Sequence, residues 1–183
     1  MLTAQQMLVD AASKGSLTGV VSALAAGADI NRSAHGETGW RPLHHACWQG
    51  KAEMVALLLE TGADPNARIE PTVNDRAIVT PLDAAVFGNV MSEATTRIVQ
   101  GLVGKGARAS HKQLIHAARK ERPDIVGPLI EGGAWPLRAK DGAPLEDMCL
   151  DRCERESIRT LRLAAERKIA QRKLRETQTG IEM

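Results

Sequence analysis

The amino-acid sequence predicts an all-α fold: a solenoid of about five helix pairs that ends in an elongated C-terminal helix. Three observations carry this. A Leu-x-x-Ala step recurs at Leu8 with Ala11, Leu43 with Ala46, Leu82 with Ala85 and Leu114 with Ala117, and more weakly at Leu145 with Met148. The anchoring leucines stand 35, 39, 32 and 31 residues apart, and a near-constant interval of that size is the signature of a repeat architecture. Each step is followed by a second apolar stripe, so every repeat unit reads as two short helices. One helical hairpin cannot bury such a stripe by itself, which requires neighbours that repeat it.

The middle unit is the clearest. It runs Gly39-Trp40-Arg41-Pro42-Leu43-His44-His45-Ala46-Cys47-Trp48-Gln49-Gly50, then through Val55, Leu58 and Leu59 to Gly62-Ala63-Asp64-Pro65-Asn66. Pro42 suits a first helical position, where its missing N–H would have had no partner. Gly50 closes the first helix, and Gly62 ends the second by tolerating the left-handed conformation. This stretch resembles an ankyrin repeat, whose T-P-L-H-x-A signature it follows with Arg41 in place of the Thr. The resemblance implies an ankyrin-repeat domain over residues 1–157, with repeats near 4–31, 39–68, 79–108, 110–138 and 141–157. A helical extension over 158–176 and a flexible tail over 177–183 complete the expected organisation.

The flanking units follow in order. Repeat one places Val20, Val21 and Leu24 on its second helix and lacks a T-P-L-H start. Repeat three opens at Thr80-Pro81-Leu82, and its second helix is expected from about Met91 to Val103, with Ile98, Leu102 and Val103 inward. Extra residues fall in 67–79, so Arg68 to Val79 is expected to form a flap. Between Gly106 and Lys112 there is no room for the finger that joins ankyrin repeats, and Ser110 is positioned to cap the next helix directly. Pro128 predicts a bend or a short second helix in repeat four. Repeat five opens at Asp141, and its second helix meets no breaker between Glu154 and Gly180.

Composition limits the function. The chain of 183 residues is 43% hydrophobic and 25% charged with a net charge of +2, ordinary for a globular domain and too small for a wholly electrostatic nucleic-acid binder. Three cysteines without framework spacing suggest free thiols and a cytoplasmic setting. No basic leader and no apolar stretch of membrane length is evident. The abundance of Ala and Arg with no Tyr points loosely to a bacterial source.

Candidate chemistry is sparse. His44 belongs to the T-P-L-H turn, where the resemblance implies a structural role, and no metalloprotease, nucleophile-elbow or phosphate-loop motif occurs. Cys149 and Cys153 stand four apart but lack two further ligands, so no metal and no cofactor is expected. Cys47 is expected buried and inert. Residues 151–176 hold nine basic and five acidic residues, which reads first as a solvated helix face. A scaffold whose basic C-terminal helix binds nucleic acid or an anionic surface is the alternative, although no aromatic interleaves those charges to stack on bases.

The aromatic residues carry the functional expectation. There are only three Trp and one Phe, and the resemblance implies that Trp40, Trp48 and Phe87 occupy positions facing the concave groove. Trp and Phe concentrated on a surface are the composition of a binding hot spot. The groove-facing positions in repeats one and four hold Ser13-Lys14 and Arg119-Lys120. The expected function is therefore a non-catalytic protein–protein interaction module with an aromatic centre and basic ends, possible variants being an inhibitor or toxin-neutralising protein. The candidate partner-binding residues are Trp40, His45, Trp48, Gln49, Arg68, Arg76, Phe87, Arg119 and Lys120. The partner is expected to be a protein, nucleic acid is not favoured, and the chain is expected to be a monomer or to self-associate weakly through the C-terminal helix.

Overall fold

The computed structural model describes residues 2–34, 39–69, 80–88, 93–120 and 122–134, and in the C-terminal stretch only Leu163, Arg167 and Ala170. The chain divides into two units, Met1–Ala109 and Ser110–Met183. The described residues are all-α. The first unit holds α1 (Ala4–Lys14), α2 (Leu17–Ala25), α3 (Pro42–Trp48), α4 (Ala52–Glu60), α5 (Pro81–Phe87) and α6 (Glu93–Gly104). The second holds α7 (His111–Arg119) and α8 (Pro123–Leu129), continued by a wider π turn over Ile130–Ala134. Within the first unit α1 pairs with α2, α3 with α4 and α5 with α6, and α3 packs between α1 and α5. In the second unit α7 pairs with α8.

Local chemistry sets the helix starts. Thr3 and Gln6 form a reciprocal capping box at α1, and Thr80 and Asp83 do the same at α5. Ser16 caps α2 by accepting from the Gly19 N–H at 3.2 Å. Arg41, at the equivalent position before α3, makes no side-chain cap, so Pro42 alone fixes that start. Gly62 follows α4 at φ 96°, a left-handed conformation that favours glycine.

Every described Leu-x-x-Ala step is buried: Leu8, Ala11, Leu43, Ala46, Leu82, Ala85, Leu114 and Ala117 all lie in the core. Val55, Leu58 and Leu59 complete it from α4 as expected. Two stripes differ from the sequence expectation. In α2 the inward residues are Val20 and Ala23, while Val21 is 59% exposed. At about 100° per residue Val20 and Ala23 lie about 60° apart and centre the inward face, and Val21 falls about 130° from that centre, on the solvent side. In α6 the inward residues are Thr95, Ile98, Val99 and Leu102, and Val103 is only half-buried, for the same reason.

Backbone turns of successive repeats are stitched by asparagines. Asn31 donates through Nδ2 to Gly62 O at 3.1 Å and accepts through Oδ1 from the Asp64 N–H at 2.8 Å. Asn66 repeats this one unit on, with Gly106 O at 2.9 Å and the Arg108 N–H at 2.8 Å. Each asparagine also closes a turn of its own, its backbone N–H reaching Oδ1 of the aspartate two residues earlier. The Asp-x-Asn pattern then stops: the next positions are Arg108-Ala109-Ser110, where the first unit ends. Ser110 serves α7 instead, its backbone N–H donating to Gln113 Oε1 at 2.6 Å. The hydroxyl of Ser110 also donates to that oxygen, so Gln113 reaches back to Ser110.

In the second unit α8 spans seven residues and contains Pro128, and the chain widens into the π turn immediately after it. This is the short second helix that Pro128 predicts. The expected fifth repeat at 141–157 and the flexible tail lie outside the described residues, as does most of the expected helical extension over 158–176. Leu163, Arg167 and Ala170 are each helical and exposed. Among the described residues no helix is long and apolar enough to cross a membrane.

Candidate functional site

Helix α3 is only two turns long, which brings the residue before it near the residue that ends it. Trp40 precedes the cap and Trp48 is the last helical position. Their rings meet edge to face, with centroids 5.5 Å apart and planes at 78°. Such an arrangement sets the positive edge of one ring on the negative face of the other, worth about 0.5–1.5 kcal/mol beyond its buried area. Trp40 also lies 5.3 Å from the His45 ring and 6.3 Å from that of His44. His44 is fully buried, whereas Trp40, His45 and Trp48 are half-buried and Gln49 is exposed. The cluster thus has a core side, through His44, and a solvent side, through the two Trp rings and His45.

Phe87 ends α5 and is half-buried. Helices α3 and α5 are neighbours, and the reason they can approach closely is Gly88. A Cβ at position 88 would stand 3.0 Å from Trp48 O and 2.6 Å from Ala84 O. Repeat three therefore lays its bare backbone against the backbone of Trp48. Gly88 itself is buried at this junction.

The remaining expected contacts are distributed. Arg68 is exposed in the first unit, and Arg41 beside Trp40 is half-buried. Lys120 is exposed in the second unit, and Arg119 falls on the last residue of α7. Arg76 and residues 70–79 of the expected flap lie outside the described residues. At the first repeat the expected basic end is internally neutralised: Lys14 Nζ lies 2.8 Å from Asp10 Oδ2 on the same helix, and both side chains are well exposed. Such an exposed pair contributes little stability, but it reduces the positive charge offered there.

Cys47, a group that invites chemistry, is inert in this setting. Cys47 is buried, and burial pushes its thiol far above the ordinary range, keeping it protonated and un-nucleophilic. Among the described residues no group of three or more His, Cys, Asp or Glu side chains is placed to hold a metal ion. Cys149 and Cys153 lie outside the described residues. An open hollow of about 240 Å³ lies between the first helix pairs, lined by Gly15, Gly50, Lys51, Glu53 and Arg97.

The sequence reading assigned Trp40 and Trp48 to groove positions separately and missed that they touch. The signal was present: a seven-residue helix rises only about 10 Å, a distance two indole side chains reaching toward each other can close.

Comparison with known families decides what the repeating helix pairs are. The model described as "Ankyrin repeats (3 copies)" matches residues 3–69. Residues 3–69 belong to the ankyrin-repeat family. The match includes α1 to α4, Asn31 and the whole Trp40–Trp48 cluster. Ankyrin repeats typically serve protein–protein interaction, and residues 3–69 have the architecture of a scaffold. Two mouse proteins are similar to parts of the chain. The 2-5A-dependent ribonuclease is 43% identical over 61 residues, or 33% of this chain. Rabankyrin-5 is 30% identical over 140 residues, or 76% of this chain. These matches span 8% and 10% of the two relatives' lengths, so this ankyrin array corresponds to a small part of either.

Proposed function

We propose that the chain is a protein-binding module that holds its partner on the concave face through Trp40, Trp48 and Phe87, with His45, Gln49 and Arg68 around them. The observation that carries this reading is the half-buried edge-to-face Trp pair at the two ends of α3, Trp40 just before its cap and Trp48 at its last position, since Trp is among the residue types most enriched where binding energy concentrates. A preassembled ring pair loses little side-chain entropy when a partner covers it. Arg41 and Arg68 favour a partner with an apolar anchor and acidic neighbours, and charge of this kind acts chiefly on association rate. Arg76, Arg119 and Lys120 extend the same reading to the flap and to the second unit.

The finer architecture belongs to this reading as well. The array continues through α7 and α8 to a fifth pair over 141–157, with 158–176 as a helical extension and 177–183 as a tail. A cytoplasmic setting, and a role as an inhibitor or toxin-neutralising protein, are the forms of the function that fit a binding module with no chemistry of its own.

The test is affinity capture from the native cell with three baits: the intact chain, Trp40→Ala and Trp48→Ala. A protein retained by the intact chain and lost from both variants supports the reading. Equal retention by all three removes it. If the retained material is nucleic acid and is lost on deleting residues 158–183, the basic C-terminal helix is the binding element instead.

A further inference from the structure

The turns that close successive helix pairs share one pattern. Gly27-Ala28, Gly62-Ala63, Gly106-Ala107 and Gly133-Ala134 recur there, with the glycines at φ 86°, 96°, 86° and 93°. Four residues after the first two glycines stands the side chain that reaches the next turn: Asn31 reaches Gly62 O at 3.1 Å, and Asn66 reaches Gly106 O at 2.9 Å. Four residues after Gly106 stands Ser110. An asparagine amide offers donors and an acceptor on one arm, whereas serine has a single hydroxyl on a shorter one. That hydroxyl and the Ser110 N–H both go to Gln113 Oε1, at 3.2 and 2.6 Å, at the start of α7. Two side-chain stitches therefore join the turns at Gly27, Gly62 and Gly106, and position 110 supplies none to the turn at Gly133.

A second feature weakens the same region from within. Among the described helices α8 alone carries a proline beyond its first turn, Pro128, which has no N–H to donate to the turn before it. Gly127 precedes it, and a Cβ there would meet nothing within 4 Å, so no close packing requires a glycine that loosens the helix. Stability in a stacked array is close to a sum of what each unit supplies and what joins it to its neighbour. We infer that α7, α8 and the π turn open and reclose as one unit while the three stitched helix pairs stay folded. Segments with fewer tethers than the rest of a fold open at less than the cost of global unfolding. This opening stands apart from the partner surface, since Trp40 and Trp48 lie in the stitched part and Lys120 lies in the part that opens.

The experiment is native-state hydrogen exchange on the full chain, read by mass spectrometry over a series of low urea concentrations. Peptides from α7 and α8 are expected to exchange together, with one shared dependence on urea. Corrected for intrinsic rates, they should exchange at least about tenfold faster than peptides from α3 and α4. Asn66→Ala separates this opening from global unfolding. Removing its two hydrogen bonds should speed exchange in α3 and α4 by about tenfold and leave the rates of α7 and α8 unchanged. Protection in α7 and α8 equal to that in α3 and α4 overturns the inference, as does exchange of α7 and α8 with unlinked dependences on urea. So does acceleration of all four helices in step in the variant, since one cooperative unit would then span them. If Asn66→Ala loses its fold, Asn31→Ala replaces it, with the same expected and the same overturning results.

Discussion

The side-chain oxygen of Asn31 accepts a 2.8 Å hydrogen bond from the backbone N–H of Asp64, 33 residues further along the chain. That separation is one ankyrin period, and the bond carries one turn onto the next. Asn31→Ala removes it together with the bond to Gly62 O. Each net hydrogen bond is worth about 0.5–1.5 kcal/mol, so the variant should lose about 1–3 kcal/mol of stability. Asn66→Ala should lose a similar amount, because its bonds to Gly106 and Arg108 are equivalent. Chemical denaturation followed by circular dichroism measures both, and unchanged midpoints would show that water replaces the stitch without loss.

Gly88→Ala tests the junction of repeats two and three. The added methyl would lie 2.6 Å from Ala84 O, so the backbone must shift. Overpacking of this kind costs about 1–3 kcal/mol. The shift should also alter tryptophan fluorescence, since the same methyl meets the backbone of Trp48. A variant with wild-type stability and emission would mean that the junction has more room than its distances imply.

Helix capping separates α3 from α5. Thr80→Ala removes a capping box and should cost about 0.5–2 kcal/mol. Arg41→Thr places a capping hydroxyl where α3 has none and should raise stability by up to about 1 kcal/mol. Paired melting curves decide. Opposite signs are expected, and a destabilising Arg41→Thr would show that Arg41 contributes more through packing than a cap returns.

Cys47 should resist alkylation in the folded protein even at mildly alkaline pH, because burial both blocks access and holds the thiol protonated. Peptide mapping after brief iodoacetamide treatment reads this directly. Modification is expected only once denaturant is added, and rapid native labelling would show that α3 opens readily.

The core was legible because burial in a repeat depends on a short local pattern. Leu8, Leu43, Leu82 and Leu114 follow that pattern, and all are buried. The errors came from not measuring each apolar residue's angle from the centre of the inward face, which leaves Ile98 and Val99 both buried but turns Val21 away. Val21 looks like Val20 in a sequence, yet a helix turns it outward. The Asn31 and Asn66 stitches left a sign in the repeated Asp-x-Asn, and its loss at Arg108-Ala109-Ser110 coincides with the end of the first unit. The Trp cluster was half legible: groove positions follow from the repeat register, but contact between Trp40 and Trp48 depends on ring orientation, which register does not specify. Gly88 was unreadable as a junction residue because what requires glycine there is the backbone of another repeat.

The central claim is that Trp48 carries binding energy, and calorimetric titration of the captured partner into wild type and Trp48→Ala tests it most directly. Truncating a hot-spot aromatic costs at least about 2 kcal/mol, so affinity should fall by about thirty-fold or more. Loss of the ring contact with Trp40 and of the ring area already buried should lower stability by about 1–3 kcal/mol, leaving the variant folded. Lys120→Ala should change affinity far less and act mainly on association rate. Undiminished partner affinity in a folded Trp48→Ala variant would contradict the account, as would a variant that unfolds, since Trp48 would then be a packing residue and not a contact.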